Sequence, residues 1–232
     1  MTSPKRAPRA KRSGTGEPKQ AAGSKRLPAA ARKVQLLDAA AQVFAARGYT
    51  GTTTSELAKA AGVSEPIIYR HFKSKKEMFI ELVRLTGAET IAGWEASLKG
   101  ITDAAERLVR LIGSNPMVTM RGQYRYRVIV QAMAETDDAD IQAALREHIS
   151  GLHASLCKEV ERAQGGGVVS KRFSPDLTAW ALIYIGLGYG TLSAMHMPAH
   201  GVDKGGQHID DVLGELILGG AFKRAVEAVK GS

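Results

Sequence analysis

Between Val34 and Ser74 the chain is punctuated so closely that a stack of short helices is the fold left open to it. Val34, Leu37, Ala41 and Phe44 recur at helical spacing and form one apolar stripe. Gly48 closes that stripe, as expected at a left-handed cap position. A Thr-rich stretch, Thr50-Gly-Thr-Thr-Thr54, leads into Ser55-Glu-Leu-Ala-Lys-Ala-Ala61. A Thr or Ser hydroxyl here satisfies an orphan backbone N–H and starts a new helix. Gly62 then stops that helix within about two turns. Ser64 is an N-cap for the next helix, and Pro66 fits its first turn, where the missing N–H costs nothing. Lys73-Ser74 breaks this helix and offers a further cap to a long amphipathic segment, Lys75 to about Leu98.

Two short helices joined by a tight glycine-containing turn make a helix-turn-helix. Ala58 and Ala61 supply small side chains where the helices cross. Leu57, Val63 and Ile68, with Phe44, fill the core beneath. The second helix then presents its first turn outward, where base edges would lie. Groups suited to phosphate surround it: Thr52, Thr54, Tyr69, Arg70, His71, Lys73 and Lys75. Lys75 is expected to open the next helix, so that the helix dipole adds to its charge.

The charge distribution points the same way. Residues 1–33 carry ten Lys or Arg against Glu17 alone, a surplus equal to the formal net charge of the whole chain, +9. Residues 77–232 hold 16 basic and 19 acidic residues. A basic front on a slightly acidic body suits a polyanion at one end only.

The spacing Gly48-Tyr49-x-x-Thr52-Thr53-x-x-x-Leu57-Ala58-x-x-Ala61-Gly62-Val63-Ser64-x-x-x-x-Tyr69-x-His71-Phe72-x-x-Lys75 resembles the DNA-binding signature of TetR-type (TetR/AcrR) helix-turn-helix regulators, densely over about residues 31–80. The resemblance implies an all-α chain with an N-terminal three-helix DNA-binding domain and a larger C-terminal helical bundle. It implies a homodimer on a pseudo-palindromic operator in double-stranded DNA. It also implies a repressor, released when a small-molecule effector in the bundle changes the spacing of the recognition helices. Carried onto this sequence, Thr52 and Thr54 would hold phosphate at the start of the second helix. Ser64, Glu65, Pro66 and Ile67 would face the major groove, while Tyr69, His71 and Lys75 would clamp the backbone. Pro66 departs from the family pattern, in which many members have Gly. Its rigid apolar face is suited to a thymine methyl group. Glu65 either accepts from a cytosine amino group or sits at the helix N-terminus for dipole reasons, and the dipole reading is preferred.

The expected organisation is a basic tail over residues 1–28, a helix-turn-helix domain over 29–76, and an effector-binding and dimerisation domain over 77–232. The tail holds too little apolar surface to order itself. It is either a solubilising leader or an arm that tracks phosphates. If the arm dominates, the chain is a non-specific DNA-coating protein, which is the alternative function. No apolar run reaches the roughly 18 residues of a membrane span, and no secretory signal is seen, so no membrane partner and a cytoplasmic location are expected. Cys157 is the only cysteine, which rules out an intrachain disulfide. No paired carboxylates, nucleophile arrangement or phosphate loop stands out, so neither an enzyme nor a cofactor is expected.

Beyond residue 98, helices are expected over 102–114, 117–135, 138–164, 175–195 and 208–229. Trp94, Met117, Met120, Tyr124, Tyr126, Met133, Trp180 and Tyr184 are candidate walls of a pocket for a largely apolar effector, although ordinary core is the preferred reading for most. Arg121, Arg125 and Arg127 are suited to an anionic head group, with a solvated face preferred. The apolar run Trp180–Met197 holds Gly186, Gly188 and Gly190, each costing a helix about 1 kcal/mol relative to Ala. Close approach of another helix accounts for them, either from a partner subunit or around a pocket. His196 and His200 have ligand spacing, but Pro198 lies between them, so no metal is expected.

Overall fold

The computed structural model describes residues 28–113, 120–195, 197 and 201–230. Met117, His196, His200 and all of the basic tail except Pro28 lie outside these residues, as do the side chains of Met120 and Arg121. Among the described residues the fold is all-α, with one isolated bridge between Val202 and His208.

Helix α1 (Ala29–Arg47) buries Leu36, Leu37, Ala40, Ala41 and Phe44. Val34, expected on that stripe, is instead exposed, and Leu36 and Ala40 complete the face. Gly48 follows at φ +78° and ψ 166°. The backbone is left-handed in φ but extended in ψ, a region open essentially to glycine. Helix α2 (Thr54–Ala60) is capped by Thr53, whose hydroxyl accepts from Glu56 N while the Glu56 carboxylate accepts from Thr53 N at 2.9 Å. Gly62, at φ +65°, turns the chain into α3 (Glu65–His71). Ser74 caps α4 (Lys75–Ser97), its hydroxyl accepting from Glu77 N at 3.1 Å. The domain boundary expected after residue 76 therefore falls inside α4, and the two halves share a helix.

The body contains α5 (Ala104–Gly113), α6 (Met120–Ala134), α7 (Ala139–Gly165), α8 (Pro175–Ala194), α9 (Ile209–Leu218) and α10 (Phe222–Lys230). The last two correct the single helix expected over 208–229. A short 3-10 turn, Gly219–Ala221, interrupts it, with Gly219 at φ +51°. The reversal folds Phe222 back onto Gly214, where a Cβ would lie only 1.9 Å from its ring.

Two apolar cores result. One joins α1–α4 to α6 and the start of α7, through Phe44, Leu57, Ile68, Phe79, Ile129 and Ile141 among others. Phe44 and Phe79 meet edge to face at 5.1 Å between ring centres. The other core joins α5 and the end of α7 to α8, α9 and α10, through Leu108, Val160, Ala179, Ile183 and Phe222. Helix α7 runs through both. Beside the second core, Arg107 makes a bidentate ion pair with the buried Glu159, at 2.6 and 2.7 Å. The same guanidinium closes the carbonyls of Leu98 and Ile101. It holds the Glu159 carboxyl below the usual carboxylate range. No helix among the described residues is long and apolar enough to cross a membrane.

Candidate nucleic-acid interface

Helix α3 is only seven residues long, so it depends on packing rather than on its own propensity. Ile68 anchors it, 1% exposed, against Leu57 and Phe44. That anchor turns the opposite side outward: Ser64 and Pro66 are exposed, and Glu65 and Ile67 half-buried. The Ser64 hydroxyl makes no capping bond, so it remains available. Tyr69 is 53% exposed and donates to the Thr54 hydroxyl at 3.4 Å, which sets the two side by side at the start of α2. Arg70 and Lys73 are exposed, and His71 is half-buried beside the Phe72 ring.

Two expected phosphate groups stand differently. Thr52 is 2% exposed, and its hydroxyl donates to Gly48 O at 2.7 Å. It latches the end of α1 instead of facing outward. Lys75 is half-buried and donates to Tyr49 O at 2.8 Å and Thr52 O at 2.9 Å, with its ammonium 4.6 Å from the Tyr49 ring centre. Two of its three donors thus staple the α1–α2 turn to the start of α4. Both placements have one cause. That turn leaves the carbonyls of Gly48, Tyr49 and Thr52 without helical partners, and these two side chains satisfy them. Sequence reasoning also missed the capping box on α2, although the spacing Thr53-x-x-Glu56 spells it. Arg47 adds to the box by pairing with Glu56 at 2.8 Å. The Glu56 carboxyl is held low, first by its bonds with Thr53.

In the body lies a cavity of about 100 Å³ free volume, bounded by α4 through α9. Its wall includes Trp94, Leu111, Tyr126, Leu152, Ile183 and Gly186, and no charged side chain among the described residues. Of the expected wall residues, Trp94 and Tyr126 are present. Burial pushes the Tyr126 phenol up to about 12. Tyr124 and Met133 pack instead against the first core. Trp180 stacks on His153, 4.4 Å between ring centres, and on Tyr184, which is 67% exposed. That pair is a surface stack outside the cavity wall. Arg125, expected on a solvated face, is 4% exposed and paired with Asp38 and Glu89. Cys157 is half-buried, and burial with the nearby Glu161 and Asp176 carboxylates raises its thiol, which disfavours a nucleophilic role. No group of three His, Cys, Asp or Glu side chains among the described residues is placed to hold a metal ion.

Residues 36–82 match the family described as bacterial regulatory proteins, tetR family. The helix-turn-helix region, residues 36–82, is thus a TetR-type DNA-binding region. It is 38% identical over 96 residues to the HTH-type transcriptional activator FasR of Mycolicibacterium smegmatis, covering 40% of this chain and 44% of that protein. It is 28% identical over 118 residues to the fatty acid metabolism regulator protein of Bacillus subtilis, covering 51% and 60%. The chain thus spans about half the length of these curated relatives. The fold is shared with the transcriptional regulator FadR from Bacillus subtilis in complex with stearoyl-CoA, with a TM-score of 0.65, 21% identity, and coverage of 81% and 98%.

In the C-terminal body, one more surface stands out. Leu177, Ala181, Tyr184, Gly188, Leu192 and Met195 recur at helical spacing on α8, and all are exposed. On α9, Val212 and Leu216 extend the apolar face, Leu216 being 78% exposed. The three glycines of α8 stand in three different settings. Gly186 lies in the cavity wall, Gly188 points outward, and Gly190 is buried.

Proposed function

We propose that this protein is a cytoplasmic TetR-type transcriptional regulator, a repressor that binds a pseudo-palindromic operator as a homodimer and is released by an apolar effector. The observation that carries the reading is the outward first turn of α3, with Ser64 and Pro66 exposed over an anchored Ile68. Ser64, Glu65, Pro66 and Ile67 then read base edges. Thr54, Tyr69, Arg70 and His71 take the flanking phosphates, with Thr52 and Lys75 holding the turn that presents them. The apolar faces of α8 and α9 supply the dimer contact. The uncharged cavity supports an effector with a hydrocarbon body. Similarity to a fatty acid metabolism regulator, and to the fold of a stearoyl-CoA complex, favours an acyl chain carried as a CoA thioester.

The test is a titration of the full chain against the DNA upstream of its own coding region, at several salt concentrations, with unrelated DNA as control. Preferential binding at all salts supports the regulator. Equal, steeply salt-dependent binding to both DNAs supports coating by the basic tail. Arg70→Ala should weaken operator binding uniformly across sequences and lower the salt slope by about 1. An unchanged slope would remove Arg70 from the phosphate contacts. Because FasR is named an activator, a reporter fused to the bound DNA reads the sign: expression falling when the regulator is deleted would overturn repression.

A further inference from the structure

Helix α6, like α4, touches both the cavity and the DNA-binding helices. Tyr126 lies on the cavity wall. The residue before it, Arg125, points to another side of the helix, since neighbours are about 100° apart. Its guanidinium is buried and donates to Asp38 of α1, at 2.5 Å, and to Glu89 of α4. Six residues further along α6, Gln131 donates to Phe44 O at 2.8 Å, and Phe44 lies six residues beyond Asp38 on α1. Equal spacing on the two helices means that α6 runs parallel to α1 and is tied to it at two levels. A tilt or slide of α6 therefore carries α1 with it. Helix α1 in turn places Phe44 into the core under Leu57 and Ile68, on which α2 and α3 rest.

Burying a guanidinium costs several kcal/mol before pairing, so such a network is a weak source of net stability. What it supplies here is relative placement, because its two carboxylates stand on α1 and α4 while its own helix lines the cavity. We propose that Arg125 is a positioning residue, which passes a change at the cavity wall to α1 and so sets the placement of α3 on the operator. This rests on the reading of the cavity as the effector site. Helix α4 is the covalent route between the halves. The Arg125–Asp38 pair is a non-covalent one, and it is open to a conservative test.

The experiment uses the full-length dimer with Asp38→Asn, Asp38→Glu and Arg125→Met. Asp38 is 38% exposed in its side chain, so its amide variant should fold even if Arg125→Met does not. Octanoyl-CoA and stearoyl-CoA serve as probes, with binding followed by tryptophan fluorescence in a Trp180→Phe background, which leaves Trp94 in the wall as the reporter. Operator affinity is measured with and without probe, on the natural half-site spacing and on spacings changed by one base pair.

In Asp38→Asn, probe binding should stay as in wild type while the probe-induced loss of operator affinity shrinks at least about fivefold, the lower end of ordinary coupling. Discrimination among spacings should relax, and Asp38→Glu should restore both. Full probe response and full spacing discrimination in Asp38→Asn and in folded Arg125→Met would overturn the proposal. If neither thioester alters the fluorescence or operator affinity of wild type, the transmission from the cavity falls with the effector-site reading. The spacing arm then judges the placement of α3 by itself: relaxed discrimination upholds it, and unchanged discrimination overturns it.

Discussion

His148 is buried on α7, and neither ring nitrogen has a hydrogen-bond partner among the described residues. It packs where α4 has no side chain, since a Cβ at Gly87 would lie 2.6 Å from its Nδ1. The Tyr126 ring stands 6.2 Å away on the α6 side. Desolvation alone pushes the imidazole down to about 4, from an ordinary 6.5. The folded chain thus holds His148 neutral where the unfolded chain binds a proton. Stability is full above about pH 6.5 and falls as the pH drops towards 4, by about 3 kcal/mol in all. His148→Phe keeps a ring of similar size and removes the titration. Urea unfolding across this pH range should show a steep fall for wild type and a shallower one for the variant. Parallel curves would place the acid sensitivity elsewhere.

At the scale of elements, α2 is the test of how local signals hold a short helix. Seven residues cannot persist alone in water, so the cap and the packing of Leu57 share the task. Thr53→Ala removes the hydroxyl from the capping box and should cost about 1 kcal/mol. Amide exchange in α2 should quicken more than in α7. Uniform quickening would mean that the box stabilises the chain only globally. The first four helices are legible in the sequence because their stops are chemical. Gly48 and Gly62 sit at positive φ, and Ser74 accepts a backbone N–H. The break at Gly219 is also marked, by the Gly219-Gly220 pair and by an apolar face that shifts from Ile209, Val212, Leu213 and Leu216 to Phe222, Ala225, Val226 and Val229, and the single helix expected over 208–229 passes over both signals. The bonds by which Thr52 and Lys75 hold the turn are not legible for a different reason: their partners are backbone carbonyls, which leave no mark on sequence. Arg125 finds Asp38 across 87 residues, so nothing nearby distinguishes it from a solvated arginine.

For the whole molecule, the outward stripe of α8 and α9 is the feature that a single chain leaves unexplained. Leu177, Tyr184, Met195 and Leu216 are each more than 60% exposed, on two consecutive helices. Soluble monomers seldom leave large apolar patches bare. Ala181 and Gly188 lie on the same stripe and would let a second helix approach closely. A two-fold pair of these faces would join the bodies and hold two copies of α3 at a fixed separation. That separation is what a palindromic site requires. Leu216→Glu places a charge at the most exposed of these positions, so it should spare the monomer fold and oppose pairing. Sedimentation velocity should show the wild type as a dimer and the variant shifted to monomer, with unchanged helical circular dichroism. The monomer should bind a single half-site as wild type does but lose the extra affinity for the full operator. A variant that stays dimeric and keeps that affinity would move the interface away from α9. Tyr184→Glu, on α8 and outside the cavity wall, would then decide whether α8 alone makes the contact.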